Sequence, residues 1–249
     1  LKHGEKIYAL VEGGVSPVIM DSEMNFLEEE PFPAADNKRF TAHPKIDSDT
    51  GEMHAVSYDF GEYVNGLGQV HYVTIDSNGK LIKDQIIETP SRPMVHDCAI
   101  TKNYVLIFDL PVTFNLGRRD DDNNPIGGDY PVVWNDKHTS RVGLQNKKTD
   151  EIIWIEVNPG FLFHIVNSYE DDNGQVILDF CRYERLFDFD NPLPMGQKPF
   201  LTRWILDPKT KTCSEEMLDD RPMEFSRVHP DFDGKQHRFG YLLNDGRLN

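Results

Sequence analysis

Short runs rich in Val, Ile, Tyr and Phe, each cut off by turn-forming residues, restrict this chain to the all-β folds. Among them are KIYALVEGG (residues 6–14), HAVSYDF (54–60), QVHYVTID (69–76), YVLIFDLPV (104–112), EIIWIEV (151–157), FLFHIVNSY (161–169) and QVILDFCRY (175–183). Several alternate apolar with polar residues, the period of a strand with one buried face. Between them stand DSDTGE, DSNGK, TKN, NKKTDE, DDNGQ and DPKTKT. In such clusters Asp and Asn side chains bond nearby backbone and Gly supplies left-handed residues. No stretch sustains a helical apolar period between caps.

Two segments, residues 68–90 and 202–220, each read as strand, polar turn opened by Asp, and second strand. Many such hairpins in series build a sandwich, a barrel or a propeller. The scheme recurs in propeller blades, which run to roughly 40–50 residues. Residues 116–140 and 186–200 are rich in Pro, Gly, Asp and Asn and read as loop excursions at one end of the body.

Composition excludes some partners. The 249 residues, 38% hydrophobic with 15 Phe, 9 Tyr and 3 Trp, can fill a sizeable core. A net charge of −16 repels a phosphate backbone, so no nucleic-acid partner is expected. Cys98, Cys181 and Cys213 are odd in number and widely spaced. They form neither a disulfide framework nor a zinc–thiolate site, which points to the reducing cytoplasm. No apolar run approaches the ~18 residues of a membrane span, and no secretory signal opens the chain. The first residue, Leu1, leads directly into a strand pattern, so residues preceding it are expected in the natural protein.

Three of the nine histidines keep similar company: His43 in FTAHPKID, His96 in PMVHDCAITKNYVLIF and His164 in GFLFHIVNSYE. They lie 53 and 68 residues apart, one blade or slightly more. Inward-facing residues of successive blades can converge on a propeller axis, where imidazoles would ligate Fe, Zn or Cu. By spacing alone, separate hydrogen-bonded core histidines are the favoured reading. His54 and His71, on strand runs, are expected to face polar surroundings, and His3 and His138 to be exposed. His229 falls in a loop, and neither it nor His237 is expected to be a ligand.

The local words decide between these readings by resemblance. FTAHPKIDSDTGEMHAVSY (40–58) resembles the first histidine motif of the carotenoid cleavage oxygenases, which include the lignostilbene dioxygenases. PMVHDCAITKNYVLIFDLPVTFNL (93–116) and FLFHIVNSYED (161–171) resemble the second and third. YALVEGG (8–14) and MEFSRVHPDFDGKQHRFGYLL (223–243) resemble the blocks carrying two of the family's glutamates. These matches keep the family's order along nearly the whole chain.

The resemblance implies part of a seven-bladed β-propeller, with the loop excursions forming a cap over an axial iron site. Residues 1–249 would then be one domain, an incomplete propeller lacking blades at both ends. It implies Fe(II), one ion per subunit, with His43, His96 and His164 as three of four ligands. Glu12 and Glu224 would hold the ligands' other ring nitrogens. The fourth histidine and a third glutamate have no match in this chain, so the isolated 249 residues are expected to bind iron poorly and to be inactive. The implied reaction is cleavage of a carbon–carbon double bond by O₂ into two carbonyls. No acid–base pair or nucleophile beyond the metal site is required.

A lipophilic substrate would need apolar walls, for which Val11, Met94, Phe163 and Phe225 are the candidates near the ligands. Ordinary core packing is the other reading of these four. Stilbene-cleaving members tend to carry Lys immediately before the first glutamate; Val11 stands there and tilts the substrate towards a carotenoid or apocarotenoid. Stilbene cleavage is the alternative on the same site. A non-catalytic propeller binding module is the alternative from another class, isomerisation or hydrolysis of a retinoid ester is the runner-up on the same scaffold, and a calcium-type propeller hydrolase ranks low. Family members often dock peripherally on membranes to extract such substrates, and the resemblance extends that expectation to the longer protein.

Overall fold

The computed structural model of the chain describes residues 1–12, 17–29, 40–58, 68–114, 131–188 and 197–244. Among these, the one helical piece is a three-residue 3-10 turn, Pro230–Phe232. The rest is strand and turn.

Four four-stranded antiparallel sheets follow one another along the chain. The first contains β1 (Lys2–His3), β2 (Lys6–Ala9), β3 (Val18–Met20) and β4 (Phe26–Glu29). The second contains β5 (Lys45–Ile46), β6 (Met53–Tyr58), β7 (Gly68–Ile75) and β8 (Leu81–Thr89). In the third, β9 (Ala99–Ile100) and β10 (Tyr104–Asp109) are followed by a separate hairpin, β11 (Val112–Phe114) with β12 (Val132–Trp134). The sheet then resumes with β13 (Arg141–Asn146) and β14 (Ile152–Glu156). The fourth contains β15 (Phe161–Glu170), β16 (Val176–Tyr183), β17 (Phe200–Asp207) and β18 (Thr212–Pro222). A last pair, β19 (Glu224–Arg227) and β20 (Tyr241–Leu243), completes the described strands. Each four-stranded sheet is a meander in which neighbours in sequence are neighbours in space. This is the construction of propeller blades, here an unclosed part of such a body.

Turn chemistry sets the registers. In the β7–β8 connection, Asp76 Oδ1 accepts from the backbone N–H of Asn78 and of Lys80, both at 2.9 Å, and Gly79 takes φ +82°. The β15–β16 turn repeats this with Asp171, Asn173, Gln175 and Gly174 at φ +80°. Both expected hairpins form, as β7–β8 and β17–β18. The excursions at 116–140 and 186–200 fall largely outside the described residues. The described part of the first includes β12, which pairs with β11 instead of running as a loop.

The core divides into a large cluster across the later sheets and a smaller one around Tyr8, Ile19, Phe40, Met53 and Ile75. His54 and His71 are buried at 1% and 6% exposure, and His54 faces polar groups as expected; two other histidines depart from expectation. His54 Nδ1 lies 3.0 Å from the Tyr72 hydroxyl with the rings stacked. His3, read as exposed, is buried with Nε2 2.8 Å from Gly51 O. His138, also read as exposed, buries its side chain against Asp109, 2.9 Å away. For His54, His3 and His138 a polar partner on a neighbouring segment takes the place of water, which lets the imidazole pack inside.

Candidate metal centre

The first strands of the second, third and fourth sheets bring the three motif histidines together. His43 lies two residues before β5, His96 three before β9, and His164 on β15. β15 packs against both β9 and β19. One ring nitrogen from each of His43, His96 and His164 lies within 4.8 Å of the other two. Ring centroids are 4.6 Å apart for His43–His96, 5.2 Å for His43–His164 and 5.1 Å for His96–His164. All three are half-buried.

Carboxylates stand behind two of them. Glu12 Oε2 lies 2.7 Å from His96 Nδ1, and Glu224 Oε2 lies 2.6 Å from His164 Nδ1. Nδ1 faces a carboxylate in both, by a hydrogen bond in His164 and at ion-pair distance in His96, which leaves Nε2 for the centre; His96 Nε2 is buried with no hydrogen-bonding partner. An orphaned ring nitrogen among imidazoles whose other nitrogens face carboxylates is the arrangement a metal ion completes. The residues present therefore fit a metal.

The surroundings reinforce these orientations. Tyr58 donates to Glu12 Oε1 at 2.8 Å. Burial opposes the Glu12 carboxylate, but His96 and Tyr58 outweigh it and hold its pKa below the usual value. Burial, then the charge of Glu224, pushes the Tyr183 phenol upward, and burial followed by Glu12 does the same to Tyr58. His43 is pushed down to about 4, chiefly by burial, with Asp97 acting in the opposite sense. It is thus neutral at physiological pH, the state in which imidazole ligates.

Glu224 is 6% exposed and opens β19. The next residue, Phe225, takes a left-handed φ of +53°, which aims its N–H at Glu224 Oε2, 2.6 Å away. A bulky residue in that region is strained, and here the strain serves the carboxylate behind His164.

The four candidate wall residues divide. The Phe163 ring sits 5.1 Å from His96, and the Phe225 ring 5.1 Å from His164. Met94 is half-buried against the large core, whereas Val11 is 46% and Phe225 64% exposed. A cavity of about 770 Å³ reaches His43 from between β2, β3, β5 and the segment around the 3-10 turn. Its walls include Ile7, Met20, Ile46, Ile165 and Val166, and none of the four candidates lines it.

Residues 1–248 match the retinal pigment epithelial membrane protein family. The chain belongs to that family. The carotenoid cleavage oxygenase of Mycobacterium tuberculosis is 32% identical over 98% of this chain and 56% of its own length. The crystal structure of Pseudomonas brassicacearum lignostilbene dioxygenase superposes with a TM-score of 0.80 at 28% identity, over 98% of this chain and 52% of that one. A cobalt-substituted Synechocystis apocarotenoid oxygenase shares the fold with a TM-score of 0.78 at 24% identity, over 97% of this chain and 52% of that one. The chain spans about half the length of the relatives it matches.

Residues that sequence reasoning missed are Tyr58, Tyr183, Lys45 and Asp97, which surround the ligand segments. For Lys45 and Asp97 a signal was present, since each is a charged residue within two positions of a motif histidine. Tyr58 and Tyr183 carried none, because their partners lie far away in sequence.

Proposed function

We propose that this chain supplies His43, His96 and His164 to a non-haem Fe(II) centre, one ion per subunit. The centre would belong to an oxygenase that cleaves a carbon–carbon double bond of a carotenoid or apocarotenoid with O₂, giving two carbonyl products. The observation carrying this is the convergence of three imidazoles from three successive sheets, two of them backed by carboxylates. Ferrous iron held there supplies the redox chemistry that lets O₂ react with an alkene.

The chain's own residues perform the positioning. Glu12 and Glu224 fix the tautomers of His96 and His164 and aim their Nε2 atoms at a common point. Burial keeps His43 neutral. Neutral donors leave the ion its full charge. Phe163 and Phe225 lay apolar rings against two of the imidazoles and keep water from their faces. Val11, directly before Glu12, offers no donor to a phenol oxygen, which favours a polyene over a 4-hydroxystilbene. Residues 1–249 are read as part of a single propeller domain of a longer protein. Among the described residues no helix is long and apolar enough to cross a membrane.

The test is an assay of the full-length protein with Fe(II), O₂ and a panel of apocarotenoids and stilbenes. O₂ uptake with aldehyde formation from an apocarotenoid is expected, and His96→Ala should abolish it. Unchanged cleavage by His96→Ala would defeat the metal assignment. Product without O₂ uptake would point to isomerisation or hydrolysis instead.

A further inference from the structure

One carboxylate outside the His–Glu pairs touches all three ligand-bearing segments. Asp97 follows His96 directly and is 2% exposed. Its Oδ1 accepts from the backbone N–H of Cys98 at 2.7 Å and lies 2.9 Å from Lys45 Nζ. Its Oδ2 accepts from the backbone N–H of Ile165 at 3.3 Å. Lys45 is two residues beyond His43, and Ile165 is the residue after His164. Three segments, separated by more than fifty residues of chain, therefore meet on one side chain. Each arrives within two positions of its histidine.

From this geometry, and resting on the metal reading above, we infer that Asp97 is a positioning residue that holds the three imidazoles at their mutual distances. The His–Glu contacts turn individual rings but do not tie one ligand strand to another. Asp97 does, by a charge-assisted bond to the β5 segment and a backbone bond to β15. Lys45 is 13% exposed, and a buried ammonium needs a partner to stay charged. Asp97 provides it, and Asp233 contributes more distantly. The pairing also explains how a charged residue is accommodated in this largely buried place. Cys98, next along, donates Sγ to His43 O at 3.7 Å, a second and weaker tie between the same segments.

The experiment compares Asp97→Asn and the double variant Asp97→Asn/Lys45→Met in the full-length protein. Binding of Co(II) is followed by calorimetry and by visible absorption, with thermal unfolding alongside. Asparagine keeps the volume but has one acceptor oxygen, so it surrenders either the Ile165 bond or the Cys98 and Lys45 contacts. Lys45→Met removes the ammonium that the neutral amide would leave unpaired. Both variants should lose about tenfold or more in Co(II) affinity, the usual effect of disturbing a ligand's support, and shift the absorption band. The double variant should do so at a near wild-type unfolding midpoint. Wild-type affinity and spectrum in the double variant would overturn the inference. So would failure of both variants to fold, since Asp97 would then serve the fold and not the centre. Absence of Co(II) binding by the wild type, or undiminished binding by His164→Ala, would instead sink the metal reading and this inference with it.

Discussion

Replacing Asp109 by Ala should cost about 3 kcal/mol of stability without touching the histidine centre. Asp109 ends β10 and is wholly buried. Its Oδ2 accepts from Arg141 Nε at 2.7 Å, and its Oδ1 lies 2.9 Å from His138 Nε2. His138 Nδ1 in turn lies 3.1 Å from Ser91 Oγ, just beyond β8, while Arg141 stacks 3.9 Å over the Trp154 ring on β14. The chain of contacts therefore runs from the exit of the second sheet, through β10 and β13, to the outer strand of the third. Breaking one partner of a buried ion pair costs roughly 3–5 kcal/mol. The lower end applies here for two reasons. Arg141 is 21% exposed, so water can reach its freed guanidinium. His138 keeps the Asp109 backbone carbonyl, 3.1 Å from Nε2, as an acceptor.

Asp109→Asn should be milder. It keeps the volume and one acceptor but turns a charge-assisted bond into a neutral one, a difference of about 1–2 kcal/mol. Urea unfolding followed by tryptophan fluorescence suits the measurement, because Trp154 and Trp134 lie in and beside the network. For a chain of this size the alanine variant should unfold about 6–12 °C below wild type. A loss under about 1 kcal/mol for Asp109→Ala would refute the reasoning. The network would then be worth no more than a surface ion pair.

Two further outcomes are expected. Glu224→Gln exchanges a carboxylate 2.6 Å from His164 Nδ1 for an amide and should weaken Co(II) binding by roughly 10–100-fold, read by titration against a chelator; an unchanged dissociation constant would remove Glu224 from the site. His54 is pushed down to about 3, first by burial and then by Lys147, with Asp47 opposing and Lys83 adding to the depression. Glu52, 3.8 Å from Nε2, is its nearest carboxylate. Because the folded pKa lies below the unfolded value of about 6.5, the unfolded chain takes up the proton first as pH falls. Stability should be unaffected by His54 above about pH 6.5 and drop on acidification, by about 2 kcal/mol at pH 5 and on the order of 4 kcal/mol near pH 3. His54→Gln should flatten that dependence between pH 7 and 5; the same slope in both proteins would show that His54 is not its source.

The strands were largely legible in the sequence because the sheets are local. QVHYVTID and its DSNGK turn contain their own register, set by Asp76 and Gly79. The three histidines stood out because each sits in a distinctive word of the chain. The burial of His54 and His138 was not legible, since it depends on Tyr72 and Asp109, which come from other strands. Nothing in a window around His138 distinguishes an exposed turn imidazole from one that closes a buried network. The same limit hid the support of the centre. Tyr58 meets Glu12 across 46 residues, and Ile165 meets Asp97 across 68.

The placement of the carboxylates also bears on why the three imidazoles, and not the acidic groups beside them, face one another. Asp97, Glu12 and Glu224 lie beside the ligand segments, and each has at least one oxygen that accepts from an N–H or O–H donor. Moving Glu224 to the centre would strip His164 Nδ1 and the Phe225 N–H of their shared acceptor and leave two donors unsatisfied in a largely buried place. Moving Asp97 would leave the Lys45 ammonium unpaired. Either change leaves an unmet buried donor, which carries the full desolvation penalty. The acidic groups are thus confined behind the imidazoles by their own hydrogen bonds. A cation brought to the three ring nitrogens would meet neutral donors in front and negative charge only at one remove.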